Sequence, residues 1–491
     1  MSSNVDNGAE LHERRVTRDK CEKKPNILYV FADQWRRQAV GFRNEDPVIT
    51  PNIDAFAAES LVFDHAVSCT PICSPHRAAL MTGTYPQTNG VYTNCKLGAD
   101  VALREDAIGI GDVLKREGYR TGYIGKWHLD LPEQNVSEQP ISGARDWDAY
   151  TPPGPKRHGF DEWYSYGTYD EHLTPHYWRD TPEMIQADQW SVEHETDRAI
   201  EFLRQRSGQE EPFALFVSWN PPHSPFDLVP DRYKRLYDHI PLRWRPNVKA
   251  DGLAAHTGEP FADGMDNLER YMRDYCAAVT GIDEQFGRLM QSLQELGMEQ
   301  NTLVVLSSDH GELMGSHGLM AKHSWHEESI GIPCVMRWPG RIGAGHTSLL
   351  FNSVDIMPTL LGLAGLDVPQ TVEGSDYSPA VLGLEPVSDE PAFISAFPGR
   401  KDVIEQFAAQ GLDNKRFGWR GVRTRRYTYV VHRGYSAVDP SFCLRLLYDL
   451  EQDPYQLNPL TLQRASQHPV AHELEEKLRG WLSSVNDLFE L

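Results

Sequence analysis

Five consecutive residues, Cys73-Ser74-Pro75-His76-Arg77, bring a soft nucleophile, a helix-opening pair and a cation within about one turn of each other. A small residue followed by proline opens a helix, with Ser74 as its cap and Pro75 at the first helical position. Cys73 is then left at or just outside the helix N-terminus, where exposed N–H groups and the helix dipole favour an anion. Arg77, one turn on, can face the same spot. Cys73 is therefore read as more than a plain thiol, in a stretch from Cys69 to Gly90 around which the chain is organised. Four other places carry polar residues just past a short apolar run: Asp33 and Gln34, Lys126 and His128, His223, and Asp309 with His310. Singly, Asp33 could cap a helix, Lys126 could be a solvated rim charge, His223 a satisfied core histidine and Asp309-His310 a turn. Together, oxygens from Asp and Gln suit a hard cation such as Ca²⁺ or Mg²⁺, and no dense Cys/His spacing points to structural zinc.

The elements that must hold these residues alternate along the chain. Asn26 to Ala32 (NILYVFA) reads as a strand, and Thr50-Pro51-Asn52 opens an amphipathic helix carrying Ile53, Phe56, Ala57 and Leu61. A helix over Asp112 to Glu117 leads to a strand from Tyr119 to Gly125, which runs into Lys126-Trp127-His128; two residues apart on an extended segment, Lys126 and His128 point the same way. Leu131 to about Pro182 is rich in Pro, Gly and aromatics without periodicity, more often a binding loop than a spacer at that length. Then come a helix near Ser191 to Arg206, a strand over Phe213 to Trp219, the longest amphipathic helix through Tyr271 to Leu289, and a strand over Leu303 to Leu306. A His- and Gly-rich loop to Lys322-His323, a strand near Pro333 to Trp338 and a helix from Asp355 to Leu366 follow. The alternation predicts an α/β fold, a large mostly parallel sheet sandwiched by helices. Polar residues past strand ends of such a sheet face the ligand crevice. A hairpin over Gly421 to His432, the run Leu447-Tyr448-Asp449-Leu450 and a helix near Ala471 to Leu488 predict a smaller C-terminal α+β subdomain. The expected division is 1–24 disordered or extended, 25–375 catalytic, and 376–491 C-terminal.

The 491 residues suffice for a sizeable core without staples, at ~100 to 200 residues per domain. With 48 Lys and Arg against 70 Asp and Glu, a net charge of −22 argues against nucleic acid or anionic membrane as partner. An anionic substrate would need a locally basic site. Seven scattered cysteines, an odd number, suggest no disulfide framework. The first 24 residues lack an apolar segment, and no later run approaches ~18 residues, so the chain as given is expected to be soluble and cytoplasmic, with export after removal of a signal left open. Oligomeric state is not legible.

At this point the residues carry a resemblance. Cys73-Ser74-Pro75-His76-Arg77, continued by Leu80-Met81-Thr82-Gly83, resembles the Cys-x-Pro-x-Arg signature of type I sulfatases in the alkaline phosphatase superfamily. The likeness extends to Asp33, Gly125-Lys126-Trp127-His128, Pro222-His223, Asp309-His310-Gly311-Glu312, Lys322, and Leu447-Tyr448-Asp449-Leu450 with Asp453-Pro454. In that family the motif Cys is oxidised to formylglycine (3-oxoalanine). One hydroxyl of its hydrate attacks sulfur in line and displaces the alcohol; loss of the proton from the other expels sulfate and restores the aldehyde. The resemblance implies a partner enzyme, formylglycine-generating or anaerobic sulfatase-maturing, and one divalent cation, Ca²⁺ before Mg²⁺ or Mn²⁺. It implies metal ligation by Asp33, Gln34, Cys73, Asp309 and His310. It also implies that Arg77 holds the hydrate, His128 acts as base, Lys126 and Lys322 clamp sulfate, and His223 acts as general acid. Gln34 stands where many sulfatases have Asp, and His310 where many have Asn, a less anionic shell.

The expected activity is thus a sulfuric ester hydrolase, with a sulfated carbohydrate as substrate. His172 and His176 in the irregular insert, and His323 and Trp325 in the loop after Lys322, are candidates for a sugar subsite; Trp325 could equally be rim packing. A phosphonate monoester or phosphodiester hydrolase of the same superfamily is the alternative, suggested by the Asp-Gln and Asp-His pairs and opposed by Lys126 with His128. A third reading is a binding protein on this fold, with Cys73 an unmodified thiol.

Overall fold

The computed structural model describes residues 23–255, 262 and 264–491; the expected extended start, up to residue 22, lies outside the described residues. Eight strands form the main sheet: β1 (Asn26–Ala32), β2 (Leu61–Val67), β3 (Arg120–Lys126), β4 (Glu162–Tyr166), β5 (Phe213–Trp219), β6 (Thr302–Ser308), β7 (Cys334–Arg337) and β8 (Gly345–Asn352). Their order is β8-β2-β7-β6-β1-β5-β3-β4. Within it β7 alone pairs antiparallel with both neighbours, so every strand that precedes a candidate site residue ends on the same edge.

The two faces of β1 show why the sheet is sandwiched. Leu28, Val30 and Ala32 join one apolar cluster, Ile27, Tyr29 and Phe31 the other. A strand with apolar residues at every position needs helices on both sides. On the first side lie α1 (Pro51–Ala58), α4 (Ser191–Arg206) and the 31-residue α5 (Met265–Glu295). On the second lie α2 (Cys73–Thr82), α3 (Ile110–Arg116) and α6 (Ser353–Leu363). The helical reading through Leu61 is corrected: α1 ends at Ala58 and Leu61 opens β2. The irregular insert also holds a strand, β4, at the sheet's edge.

A second, antiparallel sheet comprises β9 (Ala392–Ala396), β10 (Trp419–Arg423), β11 (Tyr427–His432), β12 (Leu444–Asp449) and β13 (Leu460–Leu462) in that order, with α7 (Pro469–Ser484) against it. One face packs with α7 and with Cys69, Ala79 and Tyr85 beside α2; the other packs on Val67, Trp325, Ile330 and Leu350. Glu327 is clasped between Arg37, at 2.6 Å, and Arg423 of β10, at 2.7 Å. No described helix is long and apolar enough to cross a membrane.

Candidate active site

Cys73 is the first residue of α2, and all ten residues of that helix are buried. Ser74 is not the cap. It is the second helical residue; its N–H donates to Asn94 Oδ1 at 3.1 Å, and its hydroxyl accepts from the Cys95 N–H at 3.1 Å. A helix end buried this deeply borrows its acceptor from a neighbouring loop instead of its own chain. The Cys73 Sγ lies 3.5 Å from Asp33 Oδ1 and 3.3 Å from His310 Nε2. Burial, reinforced by the Asp33 charge, pushes the thiol up to about 12. Without a cation beside it, an unmodified Cys73 is therefore protonated and a poor nucleophile at neutral pH.

Asp33, Cys73, Asp309 and His310 each bring one ligand atom within 4.8 Å of the others, and all four are buried. The backbone explains the convergence: the Asp33 N–H continues the ladder to the Trp219 carbonyl at 3.0 Å, and the Asp309 N–H reaches the Ala32 carbonyl at 3.2 Å. Burial and the neighbouring Asp33 charge raise Asp309 to about 7. Asp33 is held well below the carboxylate range, since the Lys126 and Arg77 charges outweigh its burial. His310 donates Nδ1–H to the Gly311 carbonyl at 3.0 Å, which leaves the Nε2 lone pair facing Asp33 and Cys73. Burial and Lys322 keep that ring neutral. Two carboxylates that resist joint ionisation, a neutral imidazole and a deeply buried Asp309 Oδ2 without an aligned donor fit a divalent cation, which would let both acids ionise.

Gln34, with φ of +65°, turns its N–H to Asp309 Oδ1 at 3.0 Å. Its side chain spans Glu312, to which Nε2 donates at 2.5 Å, and the Lys322 ammonium, which bonds its Oε1. Glu312 is in turn fixed by the N–H groups of Met314 and Ala321.

Three cations surround this group. The Arg77 guanidinium is fully buried, 3.1 Å from both Asp33 Oδ2 and Asp309 Oδ2, and donates to the Lys126 carbonyl and Ser218 Oγ at 2.7 Å each. Lys126 Nζ is 2.7 Å from Asp33 Oδ2 and 3.0 Å from Asn220 Oδ1. Gly125, at φ +98°, lets β3 lie this close, since a Cβ there would overlap the Ser218 carbonyl. Lys322 Nζ lies 2.9 Å from His223 Nε2.

The two candidate proton carriers are oriented by backbone. His128 donates Nε2–H to the Cys95 carbonyl at 3.1 Å, so the buried Nδ1 holds the lone pair. Burial, then Lys126 and Arg77, keep it neutral. His223 donates Nδ1–H to the Ser224 carbonyl at 2.6 Å, with Asp170 Oδ1 at 3.5 Å, and presents Nε2 to Lys322. Burial and Lys322 drive it to about 3.

The four residues expected to bind sugar make contacts within the protein. His172 buttresses His223 through its carbonyl at 2.9 Å. His176 pairs with Asp148 at 2.6 Å and is buried among Tyr166, Tyr169 and Trp178. His323, at φ +73°, accepts the Trp419 indole at its carbonyl at 2.9 Å. Trp325 is 5% exposed, donates to Tyr448 Oη at 3.0 Å and meets Trp419 edge-on. Its reading as a sugar face is corrected, because the C-terminal sheet covers the ring. Asn94, Asp170, Ser218, Asn220 and Glu312 went unassigned in the sequence. Asn220, one residue past β5, had the signal of a polar residue at a strand end; the others meet the site only through the fold.

A sulfatase family model matches residues 25–366, and a model for the N-sulphoglucosamine sulphohydrolase C-terminal region matches 315–483. The chain is 38% identical over 497 residues to an endo-4-O-sulfatase of Bacteroides thetaiotaomicron, covering 94% of this chain and 92% of that protein. It is 33% identical over 472 residues to an ulvan-active sulfatase of Formosa agariphila, covering 95% and 83%. A solved structure concerned with metabolism of multiple glycosaminoglycans by Bacteroides thetaiotaomicron superposes with a TM-score of 0.82 at 36% identity, covering 95% of this chain and 97% of that one.

Proposed function

This chain belongs to the sulfatase family, and on that premise we propose that it releases inorganic sulfate from a sulfated glycan, using residue 73 after its conversion to formylglycine and one divalent cation, Ca²⁺ in first place. The observation that carries the reading is the meeting of Cys73 with Asp33, Asp309 and His310 beneath the charges of Arg77, Lys126 and Lys322. The endo-4-O-sulfatase and ulvan-active sulfatase among its relatives support a glycan as substrate class.

Asp33, Asp309 and His310, with residue 73 and the neighbouring Gln34, would hold the cation, which supplies charge neutralisation and Lewis acidity when bound. Formylglycine, as its hydrate, supplies an oxygen nucleophile where the thiol is inert. The chain's own residues do the rest. Lys126 and Lys322 face the sulfate oxygens, and Arg77 fixes Asp33 and Asp309 in the orientation that residue 73 needs. His128 Nδ1, buried and unprotonated, takes a proton from the hydrate. His223 Nε2, which accepts from Lys322, takes that proton and passes it to the sugar oxygen as the S–O bond breaks. Conversion of Cys73 would fall to a formylglycine-generating or anaerobic sulfatase-maturing enzyme.

Two measurements test this together. The tryptic peptide containing residue 73 should be lighter by ~18 Da, S replaced by O with two hydrogens lost. Converted protein should release sulfate from at least one member of a panel of sulfated glycans. Release from no glycan and from no aryl sulfate overturns the reading, and a higher kcat/KM for aryl phosphonate than for aryl sulfate reverses it in favour of the phosphonate hydrolase.

A further inference from the structure

The burial of Trp325 leaves the question of which surface meets the sugar, and a different tryptophan answers it. Trp147 is 39% exposed, in the irregular segment between β3 and β4. Its ring lies 6.5 Å from that of His128, inclined at 31°. Lys96 stands over the same indole, Nζ 5.8 Å from the ring centroid. The segment that carries Lys96 is already part of the catalytic frame: Asn94 accepts from the first turn of α2 and the Cys95 carbonyl holds His128. An exposed indole, a cation on its face and the base of the reaction are thus joined within three consecutive residues and one loop.

Resting on the glycan reading above, we infer that Trp147 and Lys96 form a subsite at the mouth of the catalytic pocket for the sugar next to the sulfated one, and that this neighbour is acidic. The apolar face of a pyranose stacks on a flat indole, and a carboxylate or second sulfate on that ring meets the Lys96 ammonium. The cleft lined by Arg145, Tyr169, Glu171, Thr174, His176 and Asp188 has a cation on an aromatic as well, Arg145 over Tyr169. It also carries two carboxylates, Glu171 and Asp188, and suits an anionic sugar less well. The chemistry therefore favours an oligosaccharide in which the sulfated sugar is flanked by one that carries a carboxylate or a second sulfate.

The test compares three substrates on converted full-length protein: a sulfated uronate-containing tetrasaccharide, its carboxyl-reduced form, and an aryl sulfate. Trp147→Ala should lower kcat/KM on the tetrasaccharide about tenfold more than on the aryl sulfate, mostly through KM, with Trp147→Phe restoring part of the difference. Lys96→Met should weaken only the uronate-containing form and flatten the salt dependence of its KM. Binding of the same tetrasaccharide, followed by tryptophan fluorescence on protein whose residue 73 is still a thiol, reads the subsite without turnover. It therefore separates failure of this subsite from failure of the sulfatase assignment. Equal losses on aryl sulfate and tetrasaccharide, or unchanged tetrasaccharide binding in Trp147→Phe, Trp147→Ala and Lys96→Met alike, overturns the inference.

Discussion

At the scale of single residues, Arg77 separates two duties that its motif position merges. The Cys-x-Pro-x-Arg pattern suggests a group that touches the nucleophile, whereas the side chain's bonds run to Asp33, Asp309, Ser218 and the Lys126 carbonyl. It is the counter-charge that allows two acids to share a buried site. Removing one partner of a buried ionic group leaves uncompensated charge and costs about 3–5 kcal/mol. Arg77→Met should therefore lose about that much stability in urea titration. Because a divalent cation neutralises the same carboxylates, added Ca²⁺ should stabilise the variant more than the wild type; an equal effect on both would uncouple Arg77 from the cation site. Cys73 shows the converse: burial and the Asp33 charge oppose a thiolate there more than Lys322 and Lys126 favour one.

At the scale of elements, the edge of a parallel sheet gathers the ends of β1, β3, β5 and β6, and α2 brings residue 73 over them. The loop with Lys322 comes from outside that edge and is pinned by the C-terminal sheet, where the Trp419 indole on β10 donates to the His323 carbonyl. Trp419→Phe deletes that donor and keeps an aromatic ring against Trp325. It should cost about 1 kcal/mol and lower kcat/KM several-fold through a misplaced Lys322, read by thermal unfolding and steady-state kinetics. Unchanged kinetics with lowered stability would show that the loop holds itself. Much of this layer was legible: β1 and β5 are buried, short and sharply bounded apolar runs, and α4 is a helix with buried residues on one face. Leu61 was misread because it continues the helical spacing of Ile53, Phe56 and Ala57, and only the turn at Glu59 and Ser60 separates helix from strand. β8 opens with Gly345, His346 and Thr347, too polar to signal a strand before its partner β2 is known. Asn94 and Asp170 could not be assigned at all, since their contacts, with Ser74 and His223, depend on how distant loops cross.

At the scale of the whole molecule, two sheets and their helices are tied into one body by apolar clusters on both faces of the second sheet and by the Arg37–Glu327–Arg423 clasp. Arg423 and Arg37 outweigh burial and hold Glu327 well below the carboxylate range, so it stays charged at any working pH. Glu327→Gln should lower stability by about 3 kcal/mol while unfolding remains a single transition in calorimetry, since both apolar clusters survive the change. Two resolved transitions would mean that the clasp alone couples the halves. The segment from Leu129 to the start of β4, which carries Trp147, has its own internal braces: Glu133 Oε1 accepts from Ser142 and Tyr150 at 2.7 Å each, and Thr151 bonds Asp130. Its two ends are fixed by adjacent strands of one sheet. Such a stretch can be exchanged as a cassette. Lineages, or protein engineers, can rewrite the residues beyond His128 and so change the surface beside the centre, while His128 itself and the strand ends that build the centre are kept.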